Sequence, residues 1–429
     1  MENRIEEESI GHFVENSAAT YGMHVNTSRQ LPLVYDGLKP VYRRVIYAAF
    51  TLKNMTKTAT VVGETMGKYH AVGDASIGPV VSNLVNYKIL VGQGGHGAKT
   101  LLGEKIEPAA VRYSEAGISP TYHKILSNLM GYVPMQPTEV NFMEPQYIPT
   151  PIPMCLLFGL LGIGHGANTR IPAFTAKSLY EALQKDDPNL LEAPFGLEIV
   201  KDKSELQSLW DTGMGKVTYT FKVERGHSAD GPGVYIKGSP ELFFPNLTKI
   251  NKWVDDAKLY VRDESDDVHG DRLFIGRNSN IKSINYDKIY ELAVEASINT
   301  KSYRLNVTDG DQIYIIPLKT WLKQTRDRYI DMIKKFKDDN LNKENFNLKV
   351  YKNLPEVGKL ILQNPDISKE DISSQLSLEM EVIDSILQKS INTLRKGDHT
   401  ARLEAIEKKL EEYKSIDFND WILNVINEF

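Results

Sequence analysis

Cysteine is almost missing from this sequence: its 429 residues include one, Cys155. A lone thiol excludes an internal disulfide framework and suits a reducing interior. The opening segment, MENRIEEESIG, is acidic and carries no apolar run, so no secretory signal is expected. No hydrophobic stretch reaches membrane length either. The longest uncharged apolar segment, Pro151 to Ala167, falls short of the roughly 20 residues a span needs and is broken by Gly and Pro. It reads as a buried helix–loop segment. Short-period repeats and low-complexity tracts are absent, and so are a nucleotide P-loop (G-x-x-x-x-G-K-[ST]), Cys/His zinc spacing and a G-x-S-x-G nucleophile elbow.

The composition that remains is that of an ordinary soluble protein, 41% hydrophobic and 25% charged. A chain of this length is too long for one hydrophobic core, so two or three domains are expected. The net charge of −5 argues against a protein that coats nucleic acid over its whole surface. It conceals an asymmetry, however. Arg29 to Lys124 holds 12 Lys/Arg against 6 Asp/Glu, while the rest of the chain holds 39 against 50. A cationic module inside an acidic chain is what local phosphate binding requires, although a solvated face has the same composition.

Hydrophobic patterning divides the chain further. Ile10 to Met23 reads as a helical arm. VYRRVIYAAFTLKNM, after Pro40, has apolar residues at helical spacing, and Pro is well tolerated at a helix start. ASIGPVVSNLVNY reads as a second short helix entered through Gly73-Asp74 and interrupted near Gly78-Pro79; a helix pair in a basic module suits groove insertion. Between Pro151 and Leu318, segments such as KVTYTFKVERG, GVYIKG, LYVRDES, DRLFIG and DQIYIIPL read as antiparallel strands in a mixed α/β region. After Trp321 the strands give way to long, charge-rich helices.

Several short motifs could carry chemistry. In P-A-A-V-R-Y-S-E, Arg112 precedes Tyr113. A phenol ionises near pH 10 and is a weak nucleophile without help, which a neighbouring guanidinium can supply while stabilising charge on an attacked phosphate. R-Q-L-P-L-V-Y-D-G-L-K-P-V-Y-R-R places Arg29, Lys39, Arg43 and Arg44 around a turn at Asp36-Gly37, a set that would position phosphates without reading bases. G-K-Y-H-A-V-G-D offers Lys68 and His70 for a phosphate contact. G-Q-G-G-H-G, Gly92 to Gly97, follows the strand-like KILV and fits a dinucleotide-binding G-x-G-x-x-G, with Glu115 at ribose-binding distance. Gly103 and Pro108 disfavour the helix and strand that fold would require. Asp309-Gly310-Asp311 and Asp263-Glu264-Ser265-Asp266 have carboxylate spacings that suit magnesium, or equally a hairpin turn.

The order of these motifs is more specific than any one of them. R-Q-L-P-x-V-x-D-G-L-K-P-V-x-R-R, G-K-Y-H-x-x-G-D, G-Q-G-x-x-G and A-A-x-R-Y-S-E in succession closely resemble the breakage-reunion domain of gyrase A subunits and their relatives, the type IIA topoisomerase cleavage subunits. G-I-G-H-G-A-N-T-R-I-P, Gly162 to Pro172, resembles the segment that carries the family's DNA-intercalating isoleucine, here Ile163, and D-E-S-D followed by Gly270 and Arg272 resembles a strand-turn of its tower domain. The resemblance spans about Arg29 to Lys414. It implies an α+β multidomain fold: an N-terminal helical arm (1–28), a winged-helix DNA-gate domain (29–150), a mixed α/β tower domain (151–320), and a coiled coil ending in a dimerisation gate (321–429), with ILQKSINTLR at or near that gate.

The resemblance also implies roles. Tyr113 becomes joined to a 5′-phosphate of double-stranded DNA, and Arg112 stabilises the transition state. Ile163 wedges between base steps, while Arg29, Lys39, Arg43, Arg44, Lys68 and His70 hold the backbone. Magnesium would be held by a Toprim domain on an ATPase-bearing partner that also binds ATP, in a heterotetramer built on a homodimer of this chain and acting in a bacterial cytoplasm. The sequence ends before the DNA-wrapping β-pinwheel of gyrase A subunits, a layout closer to phage-type cleavage subunits, so relaxation or decatenation is expected rather than supercoiling. Four positions depart from the family. Val72 stands where a second histidine is usual, and His96, where an aromatic is common, is a candidate to compensate. Ala75 and Pro79 stand where many bacterial relatives carry the Ser and acidic residue that anchor fluoroquinolones, which implies poor sensitivity through that contact. Two other classes remain open: a DNA-binding scaffold of this fold without chemistry, and a nucleotide-dependent oxidoreductase built on Gly92 to Gly97.

Overall fold

A computed structural model describes residues 10–99, 105–194, 196–200, 203–228, 231–238, 259–265, 272–277, 286–389, 393 and 399–428. Asp266, Gly270, Gly103 and most of the second half of ILQKSINTLR lie outside the described residues. The chain forms two units, Met1–Tyr329 with Val425–Phe429, and Ile330–Asn424.

The first unit begins with helix α1 (Ile10–Val25) and one π-turn (Asn26–Gln30). Next comes a buried loop. Leu31, Val34 and Leu38 are at most 3% exposed, Val34 N donates to Thr308 O, and Trp321 Nε1 donates to Val34 O at 2.7 Å. Pro40 then starts α2 (Pro40–Leu52), whose buried stripe is Val45, Ile46, Ala48 and Ala49. Helix α3 (Thr58–Lys68) has no counterpart in the sequence reading, because T-A-T-V-V-G is β-branched and glycine-containing. Burial of Val61, Val62 and Thr65 outweighs that weak propensity. Helix α4 (Asp74–Asn86) runs through Pro79 without the expected interruption, and Ile77, Val80, Val81 and Leu84 form its buried face. Pro79 is the sixth residue of α4, so the carbonyl it leaves unpaired is that of Ala75, in the exposed first turn.

These three helices pack on one another and on a three-stranded antiparallel sheet. Its strands are β1 (Thr56–Lys57), β2 (Leu90–Gln93) and β3 (Glu115–Ile118), with β3 in the centre. The register pairs Gln93 with Glu115 and Lys57 with Glu115. The rest of the unit is built on an eight-stranded sheet whose longest member is Met214–Ser228. Of the alternating segments found in the sequence, KVTYTFKVERG lies in that strand and three others become strands 231–237, 259–263 and 272–277. DQIYIIPL becomes Ile313–Ile315, paired with Asn306–Thr308 in a separate two-stranded sheet. At one edge of the eight-stranded sheet lies a hairpin, β4 (Leu160–Ile163) and β5 (Asn168–Ile171), joined to strand 298–304 through Arg170 and Arg304. Trp210, Phe174, Tyr219 and Phe274 are among the largest fully buried side chains of this unit.

The second unit is helical. Its core gathers Val350, Leu354 and Val357 from the long helix Leu318–Gln363, Ile372 from Lys369–Leu376, and Val382, Ile383 and Ile386 from Met380–Leu387. Helices Thr400–Lys414 and Phe418–Ile426 complete the described part. No helix among the described residues is long and apolar enough to cross a membrane.

Candidate functional site

Tyr113 sits on a tight turn, Tyr113 N donating to Ala110 O at 2.8 Å, and is 66% exposed. Exposure of an aromatic ring on a turn normally means a loose loop, but this turn is fixed from two directions. The first turn of α3 donates to it: Thr58 N to Ser114 O at 2.9 Å and Ala59 N to Val111 O at 3.1 Å, so carbonyls flanking the tyrosine satisfy helix N–H groups that would otherwise lack partners. Beneath them the buried Ser114 hydroxyl donates to Thr58 Oγ1 at 2.8 Å. On the other side is the glycine-rich loop. Gly94 has φ +83°, and a Cβ there would stand 3.0 Å from Tyr113 O, so only glycine fits against the tyrosine's backbone. Ala109 N donates to Gly95 O at 2.8 Å. Arg112 is exposed beside the phenol, its guanidinium carbon 4.5 Å from the ring centroid.

G-Q-G-G-H-G is therefore a cradle for the Arg112-Tyr113 turn. It leads from an antiparallel strand into the short strand Ala98–Lys99, where a dinucleotide fold would need a helix. His96 is buried within it, and because a carbonyl only accepts, its Nε2–H donates to Glu115 O at 3.0 Å.

The basic residues separate into groups, and one of them moves inward. Arg43 is 6% exposed; its Nε and Nη2 donate to the fully buried Asp36 carboxylate at 2.7 and 3.0 Å, and Nη2 also donates to Leu38 O. Asp36 additionally accepts from Leu38 N and Ile148 N, both at 2.9 Å. Arg43 was expected among the phosphate-holding cations, and the structure corrects that: its donors are taken up inside the fold. Its spacing carried the signal, three residues before Ile46 on the buried stripe of α2. Arg44 is half-buried and bidentate on Glu144, at 2.7 and 2.9 Å, while Nη1 donates to His70 Nδ1 at 2.6 Å. Arginine only donates, so His70 is the neutral tautomer with its proton on Nε2. Burial, then the nearby Arg44 and Arg29, depress the His70 pKa to about 4.

Arg29 is exposed on the π-turn. Lys68 pairs with Glu64 at 2.8 Å, which raises its pKa, and its Nζ lies 5.8 Å from the Phe142 ring centroid. Helix α3 separates the two groups. Its first residues hold the tyrosine turn, while its end carries Lys68 and, through His70 N to Thr65 O, His70; 11 residues of helix are about 16 Å long.

Ile163 is 71% exposed at the tip of the β4–β5 hairpin. That hairpin is held by a residue to which the sequence reading gave no role. Asn26, 3% exposed, donates from Nδ2 to His165 O and accepts His165 N on Oδ1, both at 2.8 Å. A Cβ on Gly164 would meet Asn26 Oδ1 at 2.0 Å, so this clamp exists because residue 164 is glycine. Lys39 adds a bond from Nζ to Leu161 O at 2.9 Å, and burial lowers its pKa. Lys39 thus faces the hairpin.

The acidic motifs are occupied by local bonding. Asp309 Oδ1 accepts from Asp311 N and Gln312 N, which lowers its pKa and makes the motif a turn. Asp263 accepts from Ser265, and Glu264 takes Ser228, Tyr235 and Arg262. No three carboxylate, His or Cys side chains gather as a metal site among the described residues.

With this geometry in place, comparison with known proteins gives the class. Residues 29–428 match the family model that describes the A subunits of DNA gyrase and topoisomerase IV, and the chain belongs to that family. Among curated relatives are the A subunits of DNA topoisomerase 4 from Haemophilus influenzae and Escherichia coli K12, 28% and 27% identical over 95% and 96% of this chain. Among DNA gyrase A subunits, that of Brachyspira hyodysenteriae is 25% identical over 95% of the chain. The match spans 58% of the first two relatives and 52% of the third.

Proposed function

We propose that this chain is the DNA-cleaving subunit of a type IIA topoisomerase, with Tyr113 as the nucleophile. The observation that carries the reading is an exposed phenol on a turn fixed by α3 and the glycine-rich loop, with a guanidinium over its ring. Tyr113 Oη attacks a backbone phosphorus, the P–O3′ bond breaks, and the products are a 5′-phosphotyrosyl ester and a free 3′-hydroxyl. The phenolic proton is lost to solvent or a base, and a proton is gained by the 3′-oxygen. Reversal restores the duplex, because the ester conserves the bond. Arg112 stabilises charge on the attacked phosphate, and Ile163 wedges into the base stack to bend the duplex. Arg29, Lys68 and the Nε2–H of His70 contact backbone phosphates, with Arg44 orienting His70 through Nδ1.

On this reading α2–α4 with their sheet are a winged-helix DNA gate, the large sheet belongs to a tower, and the helices after Trp321 are a coiled coil with its dimerisation gate. Two copies would cut both strands. Magnesium and ATP would be held by a Toprim- and ATPase-bearing partner in a heterotetramer acting on DNA in the bacterial cytoplasm. This chain's own part is to position the phenol and grip the backbone. The test mixes the chain with that partner, supercoiled DNA and magnesium, then denatures and digests with protease. Protein-linked linear DNA should form with the unmodified chain and fall at least a thousandfold with Tyr113→Phe, while salt-sensitive DNA binding stays within about twofold. Linear product from the Phe variant would refute the assignment.

A further inference from the structure

We propose that His96 is a positioning residue for Tyr113, acting through its hydrogen bond to the strand that follows the tyrosine; this rests on the cleavage reading above. His96 Nε2–H donates to Glu115 O at 3.0 Å, two residues from the nucleophile and at the first residue of β3. Beyond that residue, towards Tyr113, strand pairing ends: Gln93 with Glu115 is the last β2–β3 pair, and Gly94 turns away in the left-handed region. The imidazole thus holds the point where the regular strand becomes the reactive turn.

The other ring nitrogen gives the argument its direction. His96 Nδ1 is buried and has no hydrogen-bond partner. A buried nitrogen without a partner carries a desolvation cost that a phenyl ring of similar size avoids. If residue 96 only filled space, phenylalanine would serve equally well or better. What phenylalanine lacks is the Nε2–H donor to Glu115 O. A packing role and a positioning role therefore predict different outcomes for one substitution.

In the reconstituted complex, His96→Phe should melt within a few degrees of the unmodified chain, because the lost bond to Glu115 O offsets the relief at Nδ1, and should bind DNA within about twofold. It should form the covalent complex about tenfold more slowly or worse, since small misplacements of reacting groups are costly. His96→Gln, whose amide can donate, should recover the rate to within about threefold. Covalent-complex formation by His96→Phe at the unmodified rate would overturn the proposal. So would a parallel loss of melting temperature and rate with no recovery in His96→Gln, because that pattern is packing alone. Failure of the underlying reading looks different: there the unmodified chain forms no adduct, or Tyr113→Phe still forms one.

Discussion

Arg43 and Arg29 come from one motif and have opposite fates. Arg43 points into the protein, where the fully buried Asp36 takes its Nε and Nη2 and Leu38 O takes Nη2 as well. Arg29, fourteen residues earlier, stands on the surface near His70, whose pKa its charge helps to depress. Positive charge in a sequence thus does two jobs that composition cannot separate: one arginine is paired inside the fold, and the other stands at the surface. Arg44 lies between them, committed to Glu144 on one edge and to His70 on the other.

Substitutions can separate these jobs. The largest effect on stability is expected from Arg43→Ala, which leaves Asp36 buried and uncompensated; denaturant unfolding should show a loss of about 3–5 kcal/mol. Per folded molecule, its salt dependence of DNA binding should be unchanged, and a shallower slope would make Arg43 a phosphate contact after all. Next comes acid. His70 stays neutral in the folded chain down to about pH 4, whereas in the unfolded chain it takes up a proton below about 6.5. Stability should therefore fall as pH drops from 6.5 towards 4, by on the order of 2–3 kcal/mol, and His70→Gln should flatten that part of the profile. Asn26→Ala should cost about 2 kcal/mol by leaving the backbone N–H and C=O of His165 without partners, and should weaken DNA bending measured by fluorescence transfer. Bending and stability equal to those of the unmodified chain would mean that the hairpin needs no clamp. The smallest change in stability belongs to Arg29→Ala, within about 0.5 kcal/mol, yet its plot of log affinity against log salt should lose about 0.9 of slope for each copy on the duplex, one phosphate's share apiece.

The sequence made the exposed parts of this site readable and left their supports hidden. Tyr113 and Ile163 stand in short contiguous motifs, and the strands at 214–228, 231–237 and 272–277 show period-2 or clustered β-branched patterns that follow from local geometry. What could not be read depends on distance along the chain. Helix α3 has poor local propensity and is completed by carbonyls of residues 111 and 114, more than fifty positions later. Asn26 reaches His165 across 139 positions, and Arg44 reaches Glu144 across 100. Arg43 differs again: its inward direction follows from the helical period, three residues before Ile46, although its motif clusters it with surface cations.

Helix α3 also acts as a ruler. It is mounted on the Tyr113 turn at one end and carries Lys68 at the other, so spacing and rotation between the two are fixed by how many residues it contains. One residue inserted between Ala59 and Lys68 would lengthen it by only about 1.5 Å but would swing one end about 100° around the axis relative to the other. A changed residue count would therefore turn the Tyr113 end and the Lys68 end to face different directions, whatever side chains the exposed face carries.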